Sequence, residues 1–157
     1  MKRCPPKDQL EQVGLLLPLH ERYLTIPRLA LGDVFDKAGV DVCDIAGYKV
    51  ALTEACRSLI HYSYRHLEPH RLQVLFTTES DQITILSSVG GECYCTEQVK
   101  THPVLHHQAA VEDLDLLFMA SLVDNYRTGL SRYNGECIAF IEITKFLGAP
   151  SHNSKRR

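Results

Sequence analysis

No apolar run in the chain approaches the ~20 residues that a membrane-spanning helix needs, so no membrane segment is expected. Neither charge dominates: 17 Lys and Arg face 19 Asp and Glu, for a net charge of −2 and a pI of about 6.4. That balance gives no electrostatic footing for nucleic acid or an anionic membrane. The start, MKRCPPKDQLEQ, is basic, but no continuous apolar stretch follows, so it does not read as a secretory signal. Internal repeats are absent. With 157 residues and 45% hydrophobic content, one domain with an ordinary core is expected. The six cysteines are then not needed as staples. Cys43, Cys56 and Cys137 lie inside apolar patterns and read as small buried hydrophobes. Reduced thiols and a cytoplasmic location follow as expectations.

The patterning predicts a flexible N-terminus over 1–12, one domain over 13–147 and a flexible basic tail over 148–157. VGLLLPL (13–19) reads as an edge strand with Pro18 near its end. PRLALGDVFDKAG (27–39) predicts a helix, with Pro27 in its first turn, a stripe of Leu29, Leu31, Val34, Phe35 and Ala38, and Gly39 as its stop. A second helix, capped by Asp41 or Asp44, should reach about Tyr64 and bury Ile45, Leu52, Cys56, Leu59 and Ser63. RLQVLFTTE (71–79) and QITILSS (82–88) alternate about a short polar turn and read as a hairpin. Residues 89–110 carry no period and read as a long loop. VEDLDLLFMASLVDNY (111–126) returns to helical spacing. YRTGLSRY and ECIAFIEITKFL are joined by Asn134-Gly135, a strong hairpin signal. The order β α α β β loop α β β implies a two-layer α/β (α+β) sandwich, with helices on one face of a largely antiparallel sheet.

Two stretches carry chemistry. In TEACRSLIHYSY (53–64), Glu54 stands one helical turn before Ser58. Read alone, Glu54 is a helix acid at the surface or part of an anion and metal site. In CYCTEQVKTHPVLHH, Cys93, Cys95, His102 and His106 bring thiols and imidazoles within reach of one tetrahedral zinc, or form a solvated loop.

The element order, TEACRSLIHYSY, and the pair MASLVDNYR and ITKFL together resemble the GHKL (Bergerat-fold) ATPases, and within them the anti-sigma-factor serine kinases of bacterial stress and sporulation switches. The resemblance covers roughly residues 13–147. It implies a cytoplasmic regulator of transcription that dimerises, holds a sigma factor and exchanges it for a small anti-anti-sigma (STAS) partner. It also implies an ATP and Mg²⁺ site with Glu54 as general base. By that correspondence the nucleotide-binding positions are Glu54, Ser58, Tyr62, Ser88, Val89, Gly90, Gly91, Asp113 and Asp115, and residues 89–110 are the lid.

The departures bear on function. Ser58 stands where the family has its magnesium-binding Asn. Ser88 or Val89 takes the place of the Asp that holds the adenine amino group. EDLDL replaces the glycine-rich phosphate turn, with Asp113 and Asp115 near the glycine positions. Serine is too short for tight octahedral coordination, and two carboxylates repel the phosphates that a bare helix start attracts. Losing ~2 kcal/mol at each of three places weakens binding by about four decades. The expectation is a protein-binding regulator with weak or lost ATP binding and no resident cofactor. The alternatives are an active ATP-dependent serine kinase acting on the anti-anti-sigma partner, and a zinc-stabilised binding module. A homodimer or partner surface is expected on Leu29, Leu31, Val34 and Phe35 and the neighbouring edge strand.

Overall fold

The structure, a computed structural model, describes residues 10–93, 113–133 and 136–148. Five strands form one antiparallel sheet in the order β1-β2-β3-β5-β4. They are β1 (Glu11–Leu17), β2 (Leu67–Thr78), β3 (Gln82–Cys93), β4 (Asn125–Tyr133) and β5 (Glu136–Phe146). Helices α1 (Thr25–Lys37), α2 (Val42–His66) and α3 (Asp113–Ser121) complete the fold. α2 lies over β2, β3 and β5 and touches α1 and α3. This is the expected helix-backed sheet, with both hairpins in it.

The alternation of the strands builds the core. Leu72, Val74 and Phe76 of β2, Ile83, Ile85 and Val89 of β3, and Ile141 and Ile143 of β5 point toward the helices and are buried. α2 answers with Ile45, Leu52, Cys56, Leu59 and Ser63, the five residues expected, and adds Tyr48, Ala51, Ala55 and Ile60. The Asp41 side chain accepts a hydrogen bond from the Cys43 amide at 2.8 Å and starts α2. Gly39, at φ 75°, turns the chain between α1 and α2, a conformation that costs glycine little.

Several expectations need correction. β3 continues in register through Val89, Gly90 and Gly91 to Cys93, against Ala139, Ile138 and Cys137 of β5. Its first residues therefore do not belong to a loop; the apolar pattern missed this because glycines hide a strand's period. Residues 94–110, the rest of the expected lid, lie outside the described residues, as do the tail 149–157 and positions 1–9. β2 begins directly after α2, and Pro69 sits within it opposite Gly91 of β3, beside a register shift between Pro69 and Leu72 and beyond the end of β1. Cys43 is exposed rather than buried, because it falls on the outer side of the first turn of α2. Cys137 is disulfide-bonded rather than reduced.

β1 is the sheet edge, as expected. On α1, however, Leu31 and Phe35 are fully buried and Val34 packs against the core. Phe35 meets the Tyr48 ring at 5.2 Å between centroids. Leu31 and Phe35 face inward and offer no partner surface in this fold, while Val34 is partly buried. Leu29 is 66% exposed, and Leu10, Val13 and Leu16 are exposed at the β1 edge.

Candidate functional site

Glu54, Ser58 and Tyr62 are spaced four residues apart and so share one stripe of α2. The structure splits them. Ser58 and Tyr62 line a cavity of about 190 Å³ between α2, α3 and the β4–β5 edge, together with Leu59, Leu116, Thr128 and Leu130. Glu54 is not among its lining residues. Its carboxylate accepts a hydrogen bond from Arg57 Nη1 at 2.5 Å.

Arg57 also reaches outward. Its Nε donates to Glu21 Oε2 at 3.3 Å, and the other oxygen of Glu21 pairs with His61 Nε2 at 2.9 Å. Four side chains thus tie α2 to the short 3-10 turn Glu21–Tyr23. The slight burial of Glu21 works to raise its pKa, but His61 and Arg57 outweigh it and hold the carboxyl below its usual range. Glu54 first, and Glu21 with it, raise the Arg57 guanidinium above its ordinary value, against the opposing effect of burial.

The remaining expected nucleotide positions do not meet Ser58. Ser88 lies on the face of β3 away from the helices, between Gln73 and Phe140. Val89 points inward and is fully buried in the core. Gly90 and Gly91 are strand residues opposite Ile138 and Cys137. The hydroxyl that faces α2 belongs to Ser87, which accepts from Cys56 Sγ at 3.7 Å. Asp113 and Asp115 fall in the first turn of α3, and their side chains lie outside the described set. Cys93 ends β3 with its side chain likewise outside it, and Cys95, His102 and His106 lie outside the described residues. Among the described residues no three His, Cys, Asp or Glu side chains gather as a metal site.

Sequence reasoning missed Arg57, although its i+3 spacing from Glu54 is a readable ion-pair signal. It also missed Leu116, Thr128 and Leu130, for which pairwise strand register was needed. A second concavity, of about 490 Å³, lies on the open face of the sheet, lined by Thr77, Thr84, Asn125, Thr144 and the Arg127–Glu142 ion pair. It shares no residue with α2.

No protein-family model matches the chain. It is 30% identical over 93 residues to the serine-protein kinase RsbW of Staphylococcus epidermidis, covering 59% of this chain and 58% of that protein. It is 23% identical over 149 residues to the serine-protein kinase RsbW of Bacillus subtilis (strain 168), covering 90% of this chain and 89% of that one. The match to the staphylococcal relatives thus spans less than two thirds of their length. Similar sequence across most of the chain, on a helix-backed antiparallel sheet, supports an RsbW-like family and is consistent with a GHKL-like ATPase fold.

Proposed function

We propose that the chain is a cytoplasmic partner-switching regulator that acts by binding proteins, a sigma factor and an anti-anti-sigma (STAS) partner, with ATP binding weakened or lost. The relatives support the partner class. The observation that carries the loss of phosphoryl transfer is the Glu54–Arg57 ion pair. A general base must be free to take a proton from the attacking hydroxyl, and this carboxylate is held by a guanidinium instead. Ser58 adds a short hydroxyl where a magnesium ligand is needed, beside a cavity with no charged side chain among its described lining residues. A triphosphate and its metal fit this donor set poorly.

The edge strand β1, with Val13 and Leu16 exposed, supports a dimer or partner contact made by strand addition or apolar docking. Leu29 on α1 is a second exposed apolar position.

The active-kinase reading is favoured by the relatives, which are named serine-protein kinases. Melting with and without about 1 mM Mg-ATP, roughly a cellular level, separates the two. A ligand at ~100 times its Kd adds ~2.7 kcal/mol, a shift of several degrees. No shift, no phosphate transfer to a STAS partner, and retained sigma-factor capture are expected. A shift abolished by Glu54→Ala would instead establish the kinase. Metal analysis of the purified protein tests the zinc alternative at Cys93, Cys95, His102 and His106.

A further inference from the structure

We propose that the concavity on the open face of the sheet is a docking site for the chain's own basic segment SHNSKRR (151–157). This goes beyond the reading above and does not depend on the fate of the nucleotide site.

The concavity is built by cross-strand register. Thr77 of β2 pairs with Thr84 of β3, Thr84 with Thr144 of β5, and Thr144 with Asn125 of β4. These four residues form one row on the face away from the helices, three strand spacings or about 14 Å long. On one side of the row, Arg127 meets Glu142 at 3.0 Å. On the other, Glu79 accepts from the Gln82 side-chain amide at 2.7 Å. Phe146, opposite Gln82, is 50% exposed there. At about 490 Å³ the concavity lies within the ~300–1,000 Å³ of ligand sites, and its polar floor suits a polar occupant.

Charge selects that occupant. Glu142 balances Arg127, whereas Glu79 meets a neutral amide. Asp81, exposed at the same β2–β3 turn, adds a second carboxylate beside it. An anion is repelled at this end and a cation is drawn in. Lys155, Arg156 and Arg157 supply three positive charges, and a guanidinium can also lie on the Phe146 ring.

The path of the backbone brings the segment there. The Leu147 amide donates to the Asp81 carbonyl at 2.7 Å, so the chain leaves β5 at the acidic turn itself. Lys155 follows Gly148 by seven residues. Seven residues span up to about 25 Å, more than the length of the row. Exposed ion pairs are individually weak. A tethered ligand acts at an effective concentration of about a millimolar, so weak pairs suffice. The docked segment covers this face until a competitor displaces it.

The test compares amide spectra of the ¹⁵N-labelled full chain with those of the full-length variant carrying Lys155→Ser, Arg156→Ser and Arg157→Ser. Differences are expected at Thr77, Glu79, Asn125 and Phe146, and none at Leu52 on α2. In about 1 M NaCl, where charges are screened beyond ~3 Å, the unaltered chain should match the variant at these sheet amides. Glu79→Gln with Asp81→Asn should move the amides of Lys155, Arg156 and Arg157, at low salt, to the positions they take in high salt. The free peptide SHNSKRR, added to the triple variant, should shift the four sheet amides back saturably at millimolar concentration. Sheet amides that are the same in both chains overturn the proposal, as do differences confined to another face. Differences that vanish on dilution at constant salt would put the segment on a second copy of the chain and overturn docking within one chain.

Discussion

The Arg57 guanidinium stands 2.5 Å from the Glu54 carboxylate, one turn away on the same face of α2. The resemblance implies a magnesium-binding Asn at position 58, where this chain has Ser, so the residue that holds the acid and the position of the implied metal ligand are neighbours. Restoring only one should do little. Ser58→Asn alone is expected to leave Mg-ATP affinity nearly unchanged, because Glu54 is still held. Arg57→Thr with Ser58→Asn should bind more tightly than either single variant, as calorimetric titration would show. Additive single effects would mean that the two positions are independent.

Leu31 and Leu29 lie two residues apart and on opposite sides of α1. Leu31 is fully buried and Leu29 is 66% exposed. Leu31→Ala should cost about 2–5 kcal/mol in urea unfolding. Leu29→Glu should stay within about 0.5 kcal/mol. If Leu29→Glu nonetheless weakens partner capture, the exposed side of α1 belongs to an interface.

Gly129 pairs with Phe140, and a Cβ at position 129 would come within 2.7 Å of the ring's Cζ. The ring fills the space a side chain would occupy. Gly129→Ala must displace it and should destabilise by about 1–3 kcal/mol. Adding Phe140→Leu should recover part of that loss, measurable as a positive coupling in a double-variant cycle.

Alkaline pH should unfold the protein earlier than its surface charge suggests. Burial pushes the Cys56 thiol from 9.0 up to about 12, offset slightly by its contact with Ser87. Burial also raises the Tyr48 phenol well above its ordinary value, against the pull of the Asp124 backbone amide. Both pKa values are higher in the folded state than in the unfolded one. The unfolded chain therefore gives up these protons first, and stability is lost as pH rises above ~9. The slope approaches ~1.4 kcal/mol per pH unit for each group ionised only when unfolded. Below pH 8 neither contributes. Cys56→Ala should flatten the fall between pH 9 and 10.5 in urea midpoints, and an unchanged slope would assign the loss elsewhere.

The buried side of α2 was readable from the sequence because burial on a helix repeats, and a stripe from Ile45 to Ser63 has no second interpretation. α1 was not readable in the same way. Its leucines at 29 and 31 are equally apolar, and only packing against Tyr48 and the sheet decides which turns inward. Cross-strand register put Thr128 next to Ile141, a relation between residues 13 apart that no local period contains. The motif at 53–64 fixed which helix to inspect, but whether Glu54 points into a cavity or toward Glu21 depends on the neighbouring turn at 21–23. β3 ran past its expected end because Gly90 and Gly91 carry no side chain to show alternation, while their backbone groups pair with β5 as well as any.

One buried hydroxyl joins places far apart in the chain. Tyr48 Oη donates to the Thr144 carbonyl at 2.9 Å and accepts from the Asp124 amide at 2.8 Å. Asp124 in turn accepts from the Phe146 amide and, with Asp44, holds Lys145. The last residues of β5 would ordinarily fray first, exchanging their amide hydrogens through small local openings. Here that opening must also release the turn after α3 and expose a phenol in the middle of the core. The end of the sheet should therefore exchange at the rate of the whole domain. Tyr48→Phe, which leaves the ring and removes the oxygen, should uncouple it, so that the Phe146 amide exchanges ahead of Ile85 at the sheet centre.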